Sequence, residues 1–151
     1  MSFVRRLKNV FTSTPAPSET PGIVYAPEID GEPDPGEVVW GWVPYEDDPS
    51  QGKDRPVILL ARGTGELSGQ WLALMLTSKD HDRDAADEAR YGRYWMDIGT
   101  GAWDAERRPS EVRLDRLVIL RDDAIRREGA AVTREVFDRV VAEARRRHAI
   151  R

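Results

Sequence analysis

Two periodicities organise the apolar residues of this chain. From Val38 onward they fall in short runs suited to strands, and near the C-terminus they recur at helical spacing. "GEVVWGWVPY" predicts a strand through Val38, Val39, Trp40, Trp42 and Val43, closed by Pro44, because β-branched and aromatic side chains fit a pleated surface. "EDDPSQGKD" reads as a loop and "RPVILLAR" as a second strand. Gly63, Gly65 and Gly69 mark a turn into "QWLALMLTSK", a third strand that is apolar almost without break up to Thr77. Two consecutive apolar strands joined this way predict a hairpin buried on both faces.

Further on, "DHDRDAADEARYGR" is polar and irregular, and "YWMDIG" is a short strand. "SEVRLDRLVIL" is another strand, its alternation broken between Leu114 and Leu117. "DDAIRREG" reads as a short helix ended by Gly129. The terminal helix is the clearest element. Thr133 can cap it, and Val136, Phe137, Val140, Val141 and Ala144 form its apolar stripe. Arg145, Arg146 and Arg147 fall in its last turn, where cations suit the carbonyl end of the helix dipole. Strands first and a helix last predict an α+β domain, a small curled antiparallel sheet with helical cover.

The pattern divides the chain at about residue 34. Residues 1–34 read as a flexible or partly helical extension followed by a Pro- and acid-rich linker, and residues 35–151 as the folded domain. "FVRRLKNVF" spaces Phe3, Val4, Leu7, Val10 and Phe11 helically between basic residues. Such a segment docks on its own body or frays, and an amphipathic helix for an anionic surface is the sharper alternative. No apolar run follows its basic residues, so it is not read as a signal peptide, and nothing reaches transmembrane length.

Composition narrows the function. Zero cysteines remove disulfides and thiolate metal sites and are compatible with a cytoplasmic location. With His81 and His148 as the only histidines, a multi-histidine metal site is not expected. A net charge of −4 is not the overall signature of a nucleic-acid binder, yet the charge is uneven. Glu28 to Asp48 holds no Lys or Arg, while the chain ends in "EARRRHAIR".

Read together, "GEVVWGWVPYEDDPSQGKDRPVILLAR", "ALMLTSKD", "VRLDRLVIL" and the "REGAAVTREVFDRVVAEAR" helix resemble the MazF/PemK toxin family over about Gly36 to Arg147. Each piece alone is common, and the ordered set is specific. The resemblance implies an SH3-like small β-barrel of the CcdB/MazF kind with a C-terminal helix, assembled as a homodimer. It also implies a type II toxin that cuts single-stranded RNA at short motifs without a metal or other cofactor, restrained by a cognate antitoxin. On that family pattern catalysis maps onto Arg55 and Thr77, and in the PemK branch onto the Arg-x-Asp pair Arg113 and Asp115.

The residue types suit that chemistry. If the ribose 2′-hydroxyl attacks, the reaction needs a base, an acid for the departing 5′-oxygen, and donors for the charged phosphoryl oxygens. The planar guanidinium of Arg55 donates two parallel bonds to phosphate, and Pro56 restricts the backbone that carries it. Thr77 offers a hydroxyl on a stiff stem. Gln51, Lys53, Ser78 and Lys79 flank the site as RNA contacts, and Trp42 or Trp103 is the aromatic expected to stack on a base.

Each assignment has a plainer counterpart. Arg55 can pair with Asp54, Thr77 can cap a strand end, and Arg113 with Asp115 can be an ordinary same-face ion pair. His81 in "KDHDRD" reads as a solvated loop residue, a general base or a lone metal ligand. Glu46, Asp47 and Asp48 conflict with phosphate binding unless their loop turns away or moves. Two other functions stay open: a non-catalytic SH3-like interaction module, or a gyrase poison of the CcdB type.

Overall fold

The computed structural model describes residue 25, residues 33–78 and residues 92–148, without the side chains of 127–129. Seven strands and one long helix follow in order: β1 (Glu37–Pro44), β2 (Gly52–Arg62), β3 (Gln70–Thr77), β4 (Trp95–Gly99), β5 (Ser110–Arg113), β6 (Val118–Arg121), β7 (Ile125–Ala131) and α1 (Arg134–His148). The class is α+β, and every strand pairing is antiparallel.

The β2–β3 hairpin is the centre of the sheet, and its side chains alternate between two cores. Ile58, Leu60, Leu72, Leu74 and Leu76 face one core, closed by Phe137, Val140, Val141 and Ala144 of α1. Val57, Leu59, Trp71, Ala73 and Met75 face the other. The near-continuous apolar runs of β2 and β3 thus reflect burial on both faces. Thr133 caps α1 as its sequence predicts, its Oγ1 accepting from the Val136 backbone N–H at 3.3 Å.

The expected barrel is not closed. The strands run β4-β5-β3-β2-β1-β7, with β6 sharing the β5 edge of β3, and β4 and β7 do not pair. The sheet still curls, since Trp95 of β4 and Ile125 of β7, from its two edges, pack against the same second core. Two other expectations change. "DDAIRREG" is not a helix: one 3₁₀ turn, Asp122–Ala124, leads into β7, whose backbone pairs with the outer edge of β1. That edge offers unpaired donors and acceptors, and satisfying them outweighs a weak local helical preference. β2 begins at Gly52, so Lys53 and Asp54, expected in the loop, pair with β1.

Segment 110–121 bends where its alternation breaks. Glu111 and Val112 pair with Thr77 and Leu76, and Val118 to Arg121 pair with Ala73 to Gln70. Between these ladders Leu74 and Met75 face the longer stretch Arg113 to Leu117, and the surplus forms a bulge. This excursion carries three of the charged groups described below.

Tyr25 packs on the body: its hydroxyl donates to the Val132 carbonyl at 2.7 Å, and its ring lies 5.3 Å from that of Phe137. Gly36 makes room for it. Its φ is +96°, and a Cβ there would sit 2.6 Å from the Tyr25 ring. Gly36→Ala is expected to cost about 1–3 kcal/mol of stability, read from urea unfolding, because backbone strain and overpacking act together. Among the described residues no helix is long and apolar enough to cross a membrane.

Candidate RNA-binding and active site

Arg55 and Thr77 come together. The β2–β3 register runs Val57↔Met75, Ile58↔Leu74 and Leu59↔Ala73. Continued by two residues, it sets Arg55 opposite Thr77 on the same face of the sheet. Both line a cleft of about 290 Å³ that also includes Lys53, Asp54, Pro56, Ser78, Trp40 and Trp103.

The charged groups there are unequally committed. Asp54 is taken by Arg126 across the sheet, Nη2 to Oδ2 at 2.6 Å, instead of by its neighbour Arg55. Arg108 donates from Nε to Asp104 at 2.8 Å, and that bond holds the Asp104 carboxyl below its ordinary pKa. Among the described residues the guanidinium of Arg55 and the ammonium of Lys53 make no hydrogen bond or ion pair with the protein. Arg55 is half-buried and Lys53 exposed. A half-buried cation without a carboxylate, at the mouth of a fixed strand, is positioned for an anion from outside.

Trp103 is not available to stack. It is 5% exposed and its indole N–H donates to Ser110 Oγ at 3.0 Å, because its ring closes the first core. Trp42 is 45% exposed, its ring covering Gly52, where a Cβ would meet it at 2.6 Å. Trp42 and Gln51 line neither of the two clefts described here. Ser78 lines the first, and Lys79 and His81 lie outside the described residues.

Buried Arg113 and half-buried Asp115 form a tight unit. Arg113 Nε and Nη2 donate to the Asp115 carboxylate at 3.0 and 2.8 Å. The other nitrogen, Nη1, lies 2.6 Å from Glu46 Oε1. Asp115 also accepts the Tyr94 backbone N–H at 2.8 Å. Burial alone would lower the pKa of Arg113, yet bonding to Asp115 and Glu46 outweighs it and leaves the pKa raised.

Arg113 and Glu46, but not Asp115, line a second cleft of about 510 Å³ together with Tyr45, Asp47, Arg55, Met75, Arg93 and Arg116. Arg55 is common to both clefts. Arg116 donates to the Pro44 carbonyl at 2.6 Å; burial and then the positive charges of Arg113 and Arg55 lower its pKa, against opposing pulls from Glu46 and Asp115. Arg93, Arg116 and Tyr45 were not among the residues picked from the sequence. The broken alternation between Leu114 and Leu117 was the available signal for Arg116, since a bulge re-aims the side chains it carries.

The acidic loop is only partly turned away. Asp48 binds its own loop, accepting from Ser50 Oγ at 2.6 Å, whereas Glu46 reaches into the arginine cleft. Among the described residues no group of three or more His, Asp or Glu is placed to hold a metal ion.

The molecule is an antiparallel α+β domain with cationic side chains converging at one end of its central hairpin. The chain belongs to the family of PemK-like, MazF-like toxins of type II toxin-antitoxin systems, whose model matches residues 34–146. A search of curated proteins gave no significant match.

Proposed function

We propose that this chain is a sequence-specific endoribonuclease that cleaves single-stranded RNA, with Arg55 and Thr77 holding the scissile phosphate. The observation that carries this reading is the half-buried Arg55 guanidinium, unpaired among the described residues, in one cleft with Thr77. The family match supports an activity of this kind.

In this reading the 2′-hydroxyl attacks the adjacent phosphorus and the bond to the 5′-oxygen breaks, leaving a 2′,3′-cyclic phosphate and a 5′-hydroxyl. Arg55 donates to the phosphoryl oxygens as negative charge builds on them. Thr77 donates a further hydrogen bond to the same group. Lys53 and Ser78 hold the flanking backbone. The protein acts as a homodimer in the cytoplasm, and its cognate antitoxin covers the RNA-binding surface.

A second assignment has its own observation. The bidentate Arg113–Asp115 pair is preorganised, and a carboxylate is a group that can serve as a general base. It makes Asp115 the base, with Arg55 still the phosphate clamp.

Incubating the purified protein with a long defined RNA in chelator tests the proposal. Cuts at a recurring short motif are expected. Intact RNA with stalled gyrase supports the poison, and intact RNA with active gyrase supports a binding module. Thr77→Ala is expected to slow single-turnover cleavage roughly 10- to 100-fold, as loss of one donor to a charged transition state does. Thr77 is half-buried at a strand end, so the melting temperature should stay near that of the wild type.

A further inference from the structure

The arginine cleft already holds an anion of its own. Glu46 stands on the loop between β1 and β2, closed at its base by Tyr45 N–H to the Gln51 carbonyl at 2.9 Å. From there its carboxylate contacts Arg113 Nη1 at 2.6 Å. The side chain of Arg113 is only 7% exposed, and that of Glu46 is 53% exposed. One partner is thus fixed in the protein, and the other sits on an open loop.

Asp115 already occupies Nε and Nη2 of Arg113, so Nη1 is the edge turned toward the cleft. A guanidinium edge that accepts a carboxylate accepts a phosphate oxygen equally well. Arg116 and Arg55 line the same space, and among the described residues neither pairs with a carboxylate.

We infer that the cleft of Arg55, Arg113 and Arg116 is a second phosphodiester subsite, next to the scissile one, and that the Glu46 carboxylate occupies it until a nucleic-acid phosphate displaces it. The inference rests on the RNA-binding reading above. Arg55, shared by the two clefts, places adjacent phosphates of one strand on either side of itself. Glu46 is then the residue that sets the affinity threshold for the strand. Displacement is inexpensive because the half-exposed carboxylate returns to water, whereas Arg113 is never left without a partner.

The test is binding of a randomised 2′-O-methyl RNA dodecamer, which has no free 2′-hydroxyl and is not cleaved, to the full chain at several salt concentrations. Glu46→Gln is expected to bind roughly tenfold tighter than the wild type, the scale of one charge-assisted contact. Its plot of log affinity against log salt should keep nearly the wild-type slope, because the same phosphates are contacted once Glu46 is displaced. Asp48→Asn removes an equal charge from the same loop and serves as the control. Asp48 lines neither cleft and its carboxylate is bonded to Ser50, which an amide oxygen also satisfies, so its variant should change affinity less than about twofold.

Equal gains in the two variants would reduce the effect to net charge and overturn the proposal. So would unchanged or weaker binding by Glu46→Gln, or no binding by either protein. Cleavage is scored separately on unmodified RNA. An inactive wild type whose Glu46→Gln variant binds the probe more tightly would sink the nuclease reading and leave the subsite standing.

Discussion

Arg55→Ala is expected to lower single-turnover RNA cleavage roughly 10²- to 10³-fold, the usual effect of removing one preorganised donor from a charged transition state. The fold should tolerate it. The Arg55 guanidinium makes no hydrogen bond or ion pair among the described residues, and the backbone of β2, Arg55 included, keeps its ladder to β1. A thermal melt should therefore move by no more than a surface substitution allows, about 0.5 kcal/mol in stability. Arg55→Lys keeps the charge but loses the paired donors, and should recover only a small part of the rate.

Asp115→Asn should behave in the opposite way, costing stability first. Arg113 is 6% exposed, and two nitrogens of its guanidinium donate to that carboxylate. Neutralising Asp115 leaves the buried cation with Glu46 alone, at a cost of about 2–3 kcal/mol, below the full penalty for stripping a buried charge because one partner remains. Denaturant unfolding would read this as a lower midpoint with unchanged slope. If Arg55 and Thr77 carry the chemistry, the folded variant keeps most of its cleavage. If Asp115 is the base, cleavage falls by a factor of about 10² or more at a temperature where the protein is still folded.

The hairpin and the terminal helix were legible because their information is local. Apolar runs bounded by glycines, and a capped stripe of Val136, Phe137, Val140, Val141 and Ala144, each describe one element's own burial. The same reading misplaced "DDAIRREG", since β7 exists through pairing with β1, nearly ninety positions earlier in the chain. Arg55 and Thr77 were found through the family pattern, and the continued β2–β3 register gives them a shared face. The arginine cleft was less accessible to such reasoning. It needs the bulge at Arg113–Leu117, the loop bearing Glu46 and the strand bearing Arg55 to meet, and no spacing in the chain encodes that meeting. Trp103 shows the converse: expected beside Trp42 as a candidate to stack on a base, it has a ring that completes the core and an N–H spent on Ser110.

The central claim is that the Arg55 guanidinium grips a phosphodiester. Side-chain Nε–Hε resonances of the arginines, followed by NMR during titration with a non-cleavable 2′-O-methyl oligonucleotide, report on it directly. The Arg55 signal should shift with saturation and its exchange with water should slow, as a guanidinium gains a fixed acceptor. Saturable binding that leaves the Arg55 signal in place, or no binding at all, would contradict the account.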